Sequence, residues 1–105
     1  MEQTQILVLC ERDRCVLRLR GTLGVAEAEE LRRAALQVAG NATDARIEWN
    51  ETEQIDASVL QVLVSLKAEV AAAGRALSVG PAGAAIATYL QTAGLSSDLS
   101  VGAAA

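Results

Sequence analysis

The order of apolar and polar residues changes period several times along the chain, and each period predicts a type of secondary structure. Residues 6–10 form a mainly apolar run, and residues 15–20 alternate between apolar and polar side chains. Alternation with a period of two is typical of a β-strand that is buried on one face. The polar residues 11–14 between the two runs predict a hairpin loop, and Gly21 is expected to end the second strand.

Two longer segments have the spacing of amphipathic helices. Residues 24–39 and 57–73 repeat apolar side chains at steps of three and four. Asp56 directly precedes the second segment and is predicted to be its N-cap, because a carboxylate there can accept hydrogen bonds from the first turn. Gly40 and Gly74 are expected to end the two helices.

Shorter elements complete the pattern. Residues 45–49 and 77–79 are predicted strands, and residues 50–54 between the third strand and the second helix are predicted to be a polar loop. Residues 84–93 form a predicted third helix, and the tail over residues 95–101 is expected to add a strand or a packing segment.

The order of these elements predicts an α/β fold. Strand, helix, strand and helix in succession imply parallel pairing through right-handed crossovers. We therefore expect a small mixed β-sheet, made of an N-terminal hairpin plus parallel strands, with helices packed against it. Residues 1–105 are expected to form a single domain, because this length suits one hydrophobic core.

The composition excludes several kinds of function. The chain has no histidine and an aromatic content of 2%. It therefore lacks a Ser-His-Asp triad, a Cys-His pair and an aromatic platform for single-stranded nucleic acid. Its formal net charge of −4 gives no electrostatic attraction to nucleic acid or anionic lipid. We expect no enzyme, no cofactor and no nucleic-acid partner.

The amino-terminal residues and the two cysteines are relevant to the cellular compartment of the protein. The first residues have no basic region followed by a long apolar run, and no segment approaches the ~20 apolar residues of a membrane span. The expected location is the cytoplasm, where thiols stay reduced. Cys10 and Cys15 lack metal-ligand spacing and are expected to be two small apolar residues. A disulfide across the hairpin is the alternative.

The start of the second helix is the main candidate site. Ser58, Gln61 and Ser65 follow steps of three and four and form a narrow polar stripe on an otherwise apolar helix. The stripe places Ser58 in the first turn, away from the core and beside Asp56. A phosphate there would be stabilised by the helix N-terminus and repelled by Asp56, so that the local charge would change sharply. The alternative is that both residues only cap the helix.

Three other features have a plain structural explanation beside a functional one. Four acidic residues near the end of the third strand could hold a hard metal ion, but we expect a solvated loop, one helix cap and no metal. These four are Glu48, Glu51, Glu53 and Asp56. Trp49 is expected in the core with Ile47, and would be a partner contact if it were exposed. Residues 80–83 form a glycine-rich turn that lacks the Lys-Ser/Thr of a phosphate-binding loop.

Several short motifs, in their order and spacing, resemble those of the STAS domain, the family of bacterial anti-sigma factor antagonists. Residues 56–60, Asp-Ala-Ser-Val-Leu after Ile55, resemble the family's Asp-Ser-Ser-Gly-Leu or Asp-x-x-Gly-Leu motif. Residues 21–24, Gly-Thr-Leu-Gly, resemble its Gly-x-Leu-Asp segment. Later segments that resemble the family are residues 73–77, Gly80-Pro81 and residues 90–95. The resemblance covers nearly the whole chain.

The resemblance implies a non-enzymatic regulatory module that is switched by phosphorylation. In such antagonists the serine at the position of Ser58 accepts the phosphoryl group from a partner kinase that also sequesters a sigma factor. The unphosphorylated form binds that partner, and a phosphatase resets the switch. The partner-binding residues implied in this way are Asp56, Ala57, Val59, Gln61 and Gly24. Val59 stands where the family has a glycine, and Gly24 stands where it often has an aspartate.

STAS domains with other roles imply alternatives. Some are accessory subunits of phospholipid-transport ATPases, and some are scaffolds in stress or chemosensory signalling assemblies. The fold does not decide among these roles. All of them imply a bacterial, cytoplasmic protein that acts through contacts with other proteins, without membrane insertion.

Overall fold

The computed structural model describes residues 4–41, 43–80 and 83–92 of the chain. Four strands and three helices follow each other there in the predicted order. The strands are β1 (Gln5–Cys10), β2 (Arg14–Leu23), β3 (Asp44–Ile55) and β4 (Leu77–Val79), and the helices are α1 (Val25–Gly40), α2 (Ala57–Ala72) and α3 (Ala84–Thr92). The predicted tail over residues 95–101 lies outside the described residues.

The sheet is mixed, as the order of elements predicts. Its strands lie in the order β1-β2-β3-β4. β1 pairs with β2 as an antiparallel hairpin, and the β2–β3 and β3–β4 pairs are parallel. This arrangement confirms the predicted α/β fold with an N-terminal hairpin followed by parallel strands. No helix within the described ranges is long and apolar enough to cross a membrane.

Two strand boundaries differ from the prediction, and both lie at the same end of the sheet. β2 continues past Gly21 to Leu23, and the predicted loop over residues 50–54 is the second half of β3. The register between the two strands shifts on either side of Gly21, which has a positive φ of 85°, and Glu51 has a φ of 55°. Such bulges insert extra residues and break the alternation on which strand prediction depends.

The helices cover the sheet face that carries the alternating apolar residues of β2 and β3. Leu17 and Ile47 pair across these strands and are almost completely buried. Leu31 of α1, Leu63 of α2 and Leu90 of α3 each have 0% exposure and belong to the same cluster. Each such leucine contributes roughly 1.5–3 kcal/mol relative to an exposed one. This shared core fixes the positions of the helix ends on which the candidate site depends.

Trp49 packs against the edge of this core and is partly buried, in agreement with the alternation of β3. Its indole Nε1 is buried and has no hydrogen-bond partner among the described residues. The side chain therefore fills space at the end of the core and is not a large exposed contact for a partner.

Arg75 connects the end of α2 to the turn between α1 and β3. Its guanidinium donates hydrogen bonds to the carbonyl oxygens of Ala39 at 2.7 Å and Thr43 at 2.9 Å, and also to that of Asn41. Carbonyls at a helix C-terminus have no partner within the helix. Arg75 supplies donors at the carboxyl end of α1 and fixes the turn that leads into β3.

The cysteines correct an expectation. Cys10 and Cys15 are directly opposite each other in the hairpin, and they form a disulfide with Cα atoms 4.0 Å apart. We expected two reduced cysteines from the sequence, because we placed the protein in the cytoplasm. The structure has a disulfide instead, because the register of the hairpin places the two sulfurs within bonding distance.

Candidate functional site

The amino ends of α1 and α2 lie side by side at one edge of the sheet. Leu23 and Ile55 pair at the carboxyl ends of the parallel strands β2 and β3. The backbone N–H of Asp56 donates to the carbonyl oxygen of Leu23 at 2.9 Å. Each strand leads directly into a helix, with Gly24 as the N-cap of α1 and Asp56 as the N-cap of α2. Two residues of the implied partner-binding set therefore become neighbours.

Asp56 and Ser58 form a compact hydrogen-bonded pair at the start of α2. The Oδ2 atom of Asp56 accepts a hydrogen bond from the backbone N–H of Ser58 at 2.9 Å and another from its hydroxyl Oγ at 2.7 Å. The first of these bonds is the predicted N-cap, and the second fixes the direction of the hydroxyl. Ser58 is partly exposed. Its hydroxyl is thus held in one orientation at the surface.

The same two hydrogen bonds set the charge of the pair. The hydroxyl and then the amide of Ser58 lower the pKa of the Asp56 carboxyl below its ordinary value of 3.8, against a smaller opposing effect of desolvation. Asp56 is therefore ionised at neutral pH and is a weak base. A carboxylate of this kind orients the hydroxyl but does not take its proton efficiently.

A phosphoryl group on Ser58 would change this pair in two ways. The hydroxyl hydrogen is replaced by phosphorus, so the 2.7 Å hydrogen bond to Asp56 is lost. Close to two negative charges then lie beside the ionised carboxylate. Like charges this close repel each other, and the repulsion grows where water is excluded. The arrangement can thus convert a covalent modification into a large local change of charge.

The remaining residues of the implied set separate into surface and core. Ala57 and Gln61 are exposed. Val59 has 0% exposure and packs in the core, so its side chain offers no surface to a partner. Gly24 is partly buried, and its N–H donates to the carboxylate Oε1 of Glu27 at 2.7 Å. The surface at this edge is therefore made by Gly24, Asp56, Ala57 and Gln61 around Ser58.

An apolar groove continues from this surface along α1 and α2. It encloses about 320 Å³ and is lined by Arg32 and Leu36 on α1 and by Gln61, Val62, Ser65 and Glu69 on α2, among others. Leu36 is 59% exposed. Gln61 and Ser65 of the polar stripe line the groove, and Ser58 lies about one helical turn before Gln61. The sequence analysis missed this groove, and the signal that could have indicated it is Leu36, an apolar residue off the buried face of α1.

Two of the acidic residues near the end of β3 are paired with arginines. Glu48 pairs with Arg18 at 3.1 Å and with Arg46 at 3.3 Å. Glu51 pairs with Arg20 at 3.3 Å. Among the described residues there is no group of three or more cysteine or acidic side chains that could hold a metal ion. The side chain of Glu53 lies outside the description.

Comparison with known proteins identifies the fold and the family. Residues 8–101 match a family model described as "Mlab, STAS domain". No curated protein matches the sequence. A structure of a proposed anti-sigma factor antagonist from Thermotoga maritima has a TM-score of 0.75 and 14% identity, over 94% of this chain and 90% of that chain.

Two further structures show the same fold. SpoIIAA, described as a Bacillus cell fate determinant in its phosphorylated form, has a TM-score of 0.66 and 19% identity over 93% of this chain and 89% of that chain. A much longer protein, Mglu, has a TM-score of 0.64 and 19% identity. The match covers 74% of this chain but 20% of Mglu.

The family match covers most of the chain, and the structural matches reproduce its mixed sheet and its helices. The fold, the paired helix ends and the sequence comparison therefore agree, and the chain belongs to the STAS domain family.

Proposed function

We propose that this chain is a regulatory binding module whose contact with a protein partner is switched by phosphorylation of Ser58. The observation that carries the proposal is the Asp56–Ser58 pair, in which a partly exposed hydroxyl is held at 2.7 Å by an ionised carboxylate. Phosphorylation removes this hydrogen bond and adds charge beside Asp56. The switch acts on the surface and leaves the core intact.

The partner surface is proposed to begin at Ser58 and to continue into the groove between α1 and α2. Gly24, Asp56, Ala57 and Gln61 surround the hydroxyl, and Leu36 supplies exposed apolar area farther along the groove. An interface of this kind has a less polar centre and a polar rim. A phosphate at the rim changes affinity through charge, without any change of the apolar contact.

The partner is proposed to supply the catalysis. In this proposal Asp56 orients the Ser58 hydroxyl, and a serine kinase contributes the nucleotide and the base. In the transfer, the bond between the γ-phosphorus and the bridging oxygen of ATP breaks, and a bond from phosphorus to Ser58 Oγ forms. The hydroxyl proton passes to the base of the kinase, and ADP leaves.

Kinship with the anti-sigma factor antagonists supports an assignment of the partner. SpoIIAA has been solved in a phosphorylated and in an unphosphorylated form and is called an anti-sigma factor antagonist. By analogy, the proposed partner of this chain is a kinase that is also an anti-sigma factor, in the cytoplasm of a bacterium. The fold alone does not establish this role, and the proposal rests on the geometry of Ser58.

A second candidate role is a constitutive accessory subunit of a transport ATPase complex. The groove between α1 and α2 favours it, because an apolar surface with an exposed Leu36 can bind a partner helix without any modification of Ser58. In this role the Asp56–Ser58 pair only caps α2.

Phosphoryl transfer with the natural partner separates the two roles. The tagged chain is used to copurify its partner from the source cells, and the complex is incubated with Mg-ATP carrying a labelled γ-phosphate. We expect label on the wild-type chain and on Ser78→Ala, and none on Ser58→Ala. Ser78 is the matched control because it is an exposed serine on β4 that does not line the groove. Equal labelling of Ser58→Ala, or a copurified ATPase that binds every variant and transfers no phosphate to the chain, would contradict the switch.

A further inference from the structure

We propose that Cys10 and Cys15 form a reversible thiol–disulfide site, at which a low-molecular-weight thiol or disulfide of the glutathione type exchanges with the sulfur of Cys10. The pair lies at the tip of the β1–β2 hairpin. β2 runs from this tip to Leu23 beside Asp56, so the site is at the opposite end of the sheet from Ser58. The inference is independent of the proposed phosphorylation switch.

The register of the hairpin makes the bond possible without movement of the backbone. The N–H of Glu11 donates to the carbonyl oxygen of Arg14 at 2.8 Å, so these two residues form a hydrogen-bonded pair. In an antiparallel hairpin the next pair is then a non-hydrogen-bonded one, where side chains approach most closely. Cys10 and Cys15 occupy that position. Reduction and oxidation can therefore occur within one backbone conformation.

The two sulfurs differ in access. Cys15 has 0% exposure and belongs to the core cluster, whereas Cys10 is exposed at the end of the edge strand β1. Thiol–disulfide exchange needs direct approach of a thiolate to one sulfur. An external thiol can reach Cys10, and Cys15 is shielded. The geometry therefore assigns Cys10 as the point of attack and Cys15 as the leaving sulfur.

Both sulfurs have a hydrogen-bond donor from the turn between α1 and β3. The side-chain Nδ2 of Asn41 donates to Cys10 Sγ at 3.2 Å, and Thr43 Oγ1 donates to Cys15 Sγ at 3.6 Å. A donor of this kind stabilises the thiolate that forms when the disulfide opens. Arg75 holds the carbonyls of both residues, so the donors are fixed in place.

The exchange is balanced in atoms and electrons. A thiolate of the small thiol attacks Cys10 Sγ, the Cys10–Cys15 bond breaks, and Cys15 leaves as a thiolate that takes up a proton. A second small thiol then attacks the mixed disulfide on Cys10, which releases the Cys10 thiol and the small disulfide. Two small thiols are oxidised and one protein disulfide is reduced. Oxidation of the chain by the small disulfide is the reverse of these steps.

Reduction has a local structural consequence. β1 is an edge strand and pairs only with β2 in the described sheet. The disulfide fastens the carboxyl end of β1 to β2. Without it, the end of the hairpin opens more often, so exchange of the Leu9 and Glu11 amides, which face β2, is expected to accelerate about tenfold or more. Exchange in α2 is expected to stay unchanged.

The test uses the full chain in glutathione buffers of varied thiol-to-disulfide ratio. Samples are quenched with acid, and their thiols are alkylated and counted by mass spectrometry. We expect one two-electron transition in the wild type, with trapped glutathione on Cys10 and not on Cys15. Glutathione disulfide is expected to react about tenfold or more faster with Cys15→Ala, which keeps the exposed Cys10, than with Cys10→Ser, which keeps the buried Cys15.

Several results would overturn the inference. These are a wild-type chain that stays a dithiol at every ratio, glutathione trapped on Cys15, or equal rates for the two variants. Since Cys15 is buried, Cys15→Ala could fold poorly, and circular dichroism checks this. Two measurements on the wild-type chain decide the question without that variant: the cysteine that carries glutathione, and the rate of amide exchange at Leu9 and Glu11 in the reduced and oxidised forms.

Discussion

Ser58→Glu is expected to weaken binding of the natural partner by about 10- to 100-fold, since 1.4 kcal/mol is tenfold in affinity. The substitution removes the hydroxyl that donates to Asp56 at 2.7 Å and places a second negative charge beside that ionised residue. Like charges this close repel each other, and in the free chain water screens much of that repulsion. The repulsion is strongest in the complex, because the partner excludes the water that screens the two charges in the free chain. The substitution therefore makes the free energy of binding less favourable. Titration calorimetry with the purified partner measures the effect.

Two further variants make this prediction specific. Ser58→Ala keeps the site neutral and is expected to bind within about threefold of the wild type, since it loses one exposed hydrogen bond. Ser78→Glu adds the same charge at an exposed position on β4 that pairs with Arg46 and does not line the groove, and is expected to leave affinity unchanged. If Ser58→Glu and Ser78→Glu bind equally, charge at position 58 does not control the partner.

Arg75→Ala is expected to lower the free energy of unfolding by about 2–4 kcal/mol, because hydrogen bonds from a charged donor are worth about 1.5–3 kcal/mol each and are not additive. The guanidinium donates to the carbonyl of Ala39 in the last turn of α1 and to those of Asn41 and Thr43 in the turn that leads to β3. Without it, these partly buried oxygens lose a common donor. Arg75→Lys is expected to recover part of the loss, because an ammonium cannot reproduce the planar fork.

The matched control for Arg75 is Arg33→Ala. The Arg33 side chain is 78% exposed and makes an i,i+4 ion pair with Glu29. Such pairs contribute about 0.3–0.5 kcal/mol. Urea denaturation measures the free energy of unfolding of both variants. The comparison holds if their m-values equal that of the wild type, because the change in midpoint then reports stability alone. An Arg75→Ala chain as stable as Arg33→Ala would show that the turn does not depend on the guanidinium.

The sequence predicts the elements of this fold well where the hydrophobic period is regular. It fails over residues 50–54, which continue β3. Thr52 is buried there, and its hydroxyl donates to the carbonyl of Leu19 at 2.8 Å, a contact between strands that no local pattern encodes. The register shifts around Gly21 hide the same extension in β2. Long-range pairing thus overrides a polar composition that is typical of a loop.

Some features of the candidate site are predictable from local sequence, and others depend on how distant segments pack together. The Asp56 cap is predictable because it depends on residues two positions apart, and the structure confirms it. The position of Gly24 beside Asp56 follows from parallel pairing of β2 and β3. The groove at Leu36 depends on how α1 and α2 pack against each other, which no single segment reveals. The disulfide is only the alternative in the sequence analysis, because a cytoplasmic location favours reduced thiols, whereas the hairpin register brings the two sulfurs together.

The phosphorylation state of Ser58 in two pools of the native protein tests the central claim most directly. The chain is isolated from its source cells as a partner-bound pool and as a free pool, and both pools are digested with trypsin. Cleavage after Arg46 and Lys67 releases residues 47–67, which contain Ser58 and Ser65. Fragment masses distinguish the two serines. The switch predicts unmodified peptide in the bound pool and phosphate on Ser58, not on Ser65, in the free pool. The same modification state in both pools would contradict it.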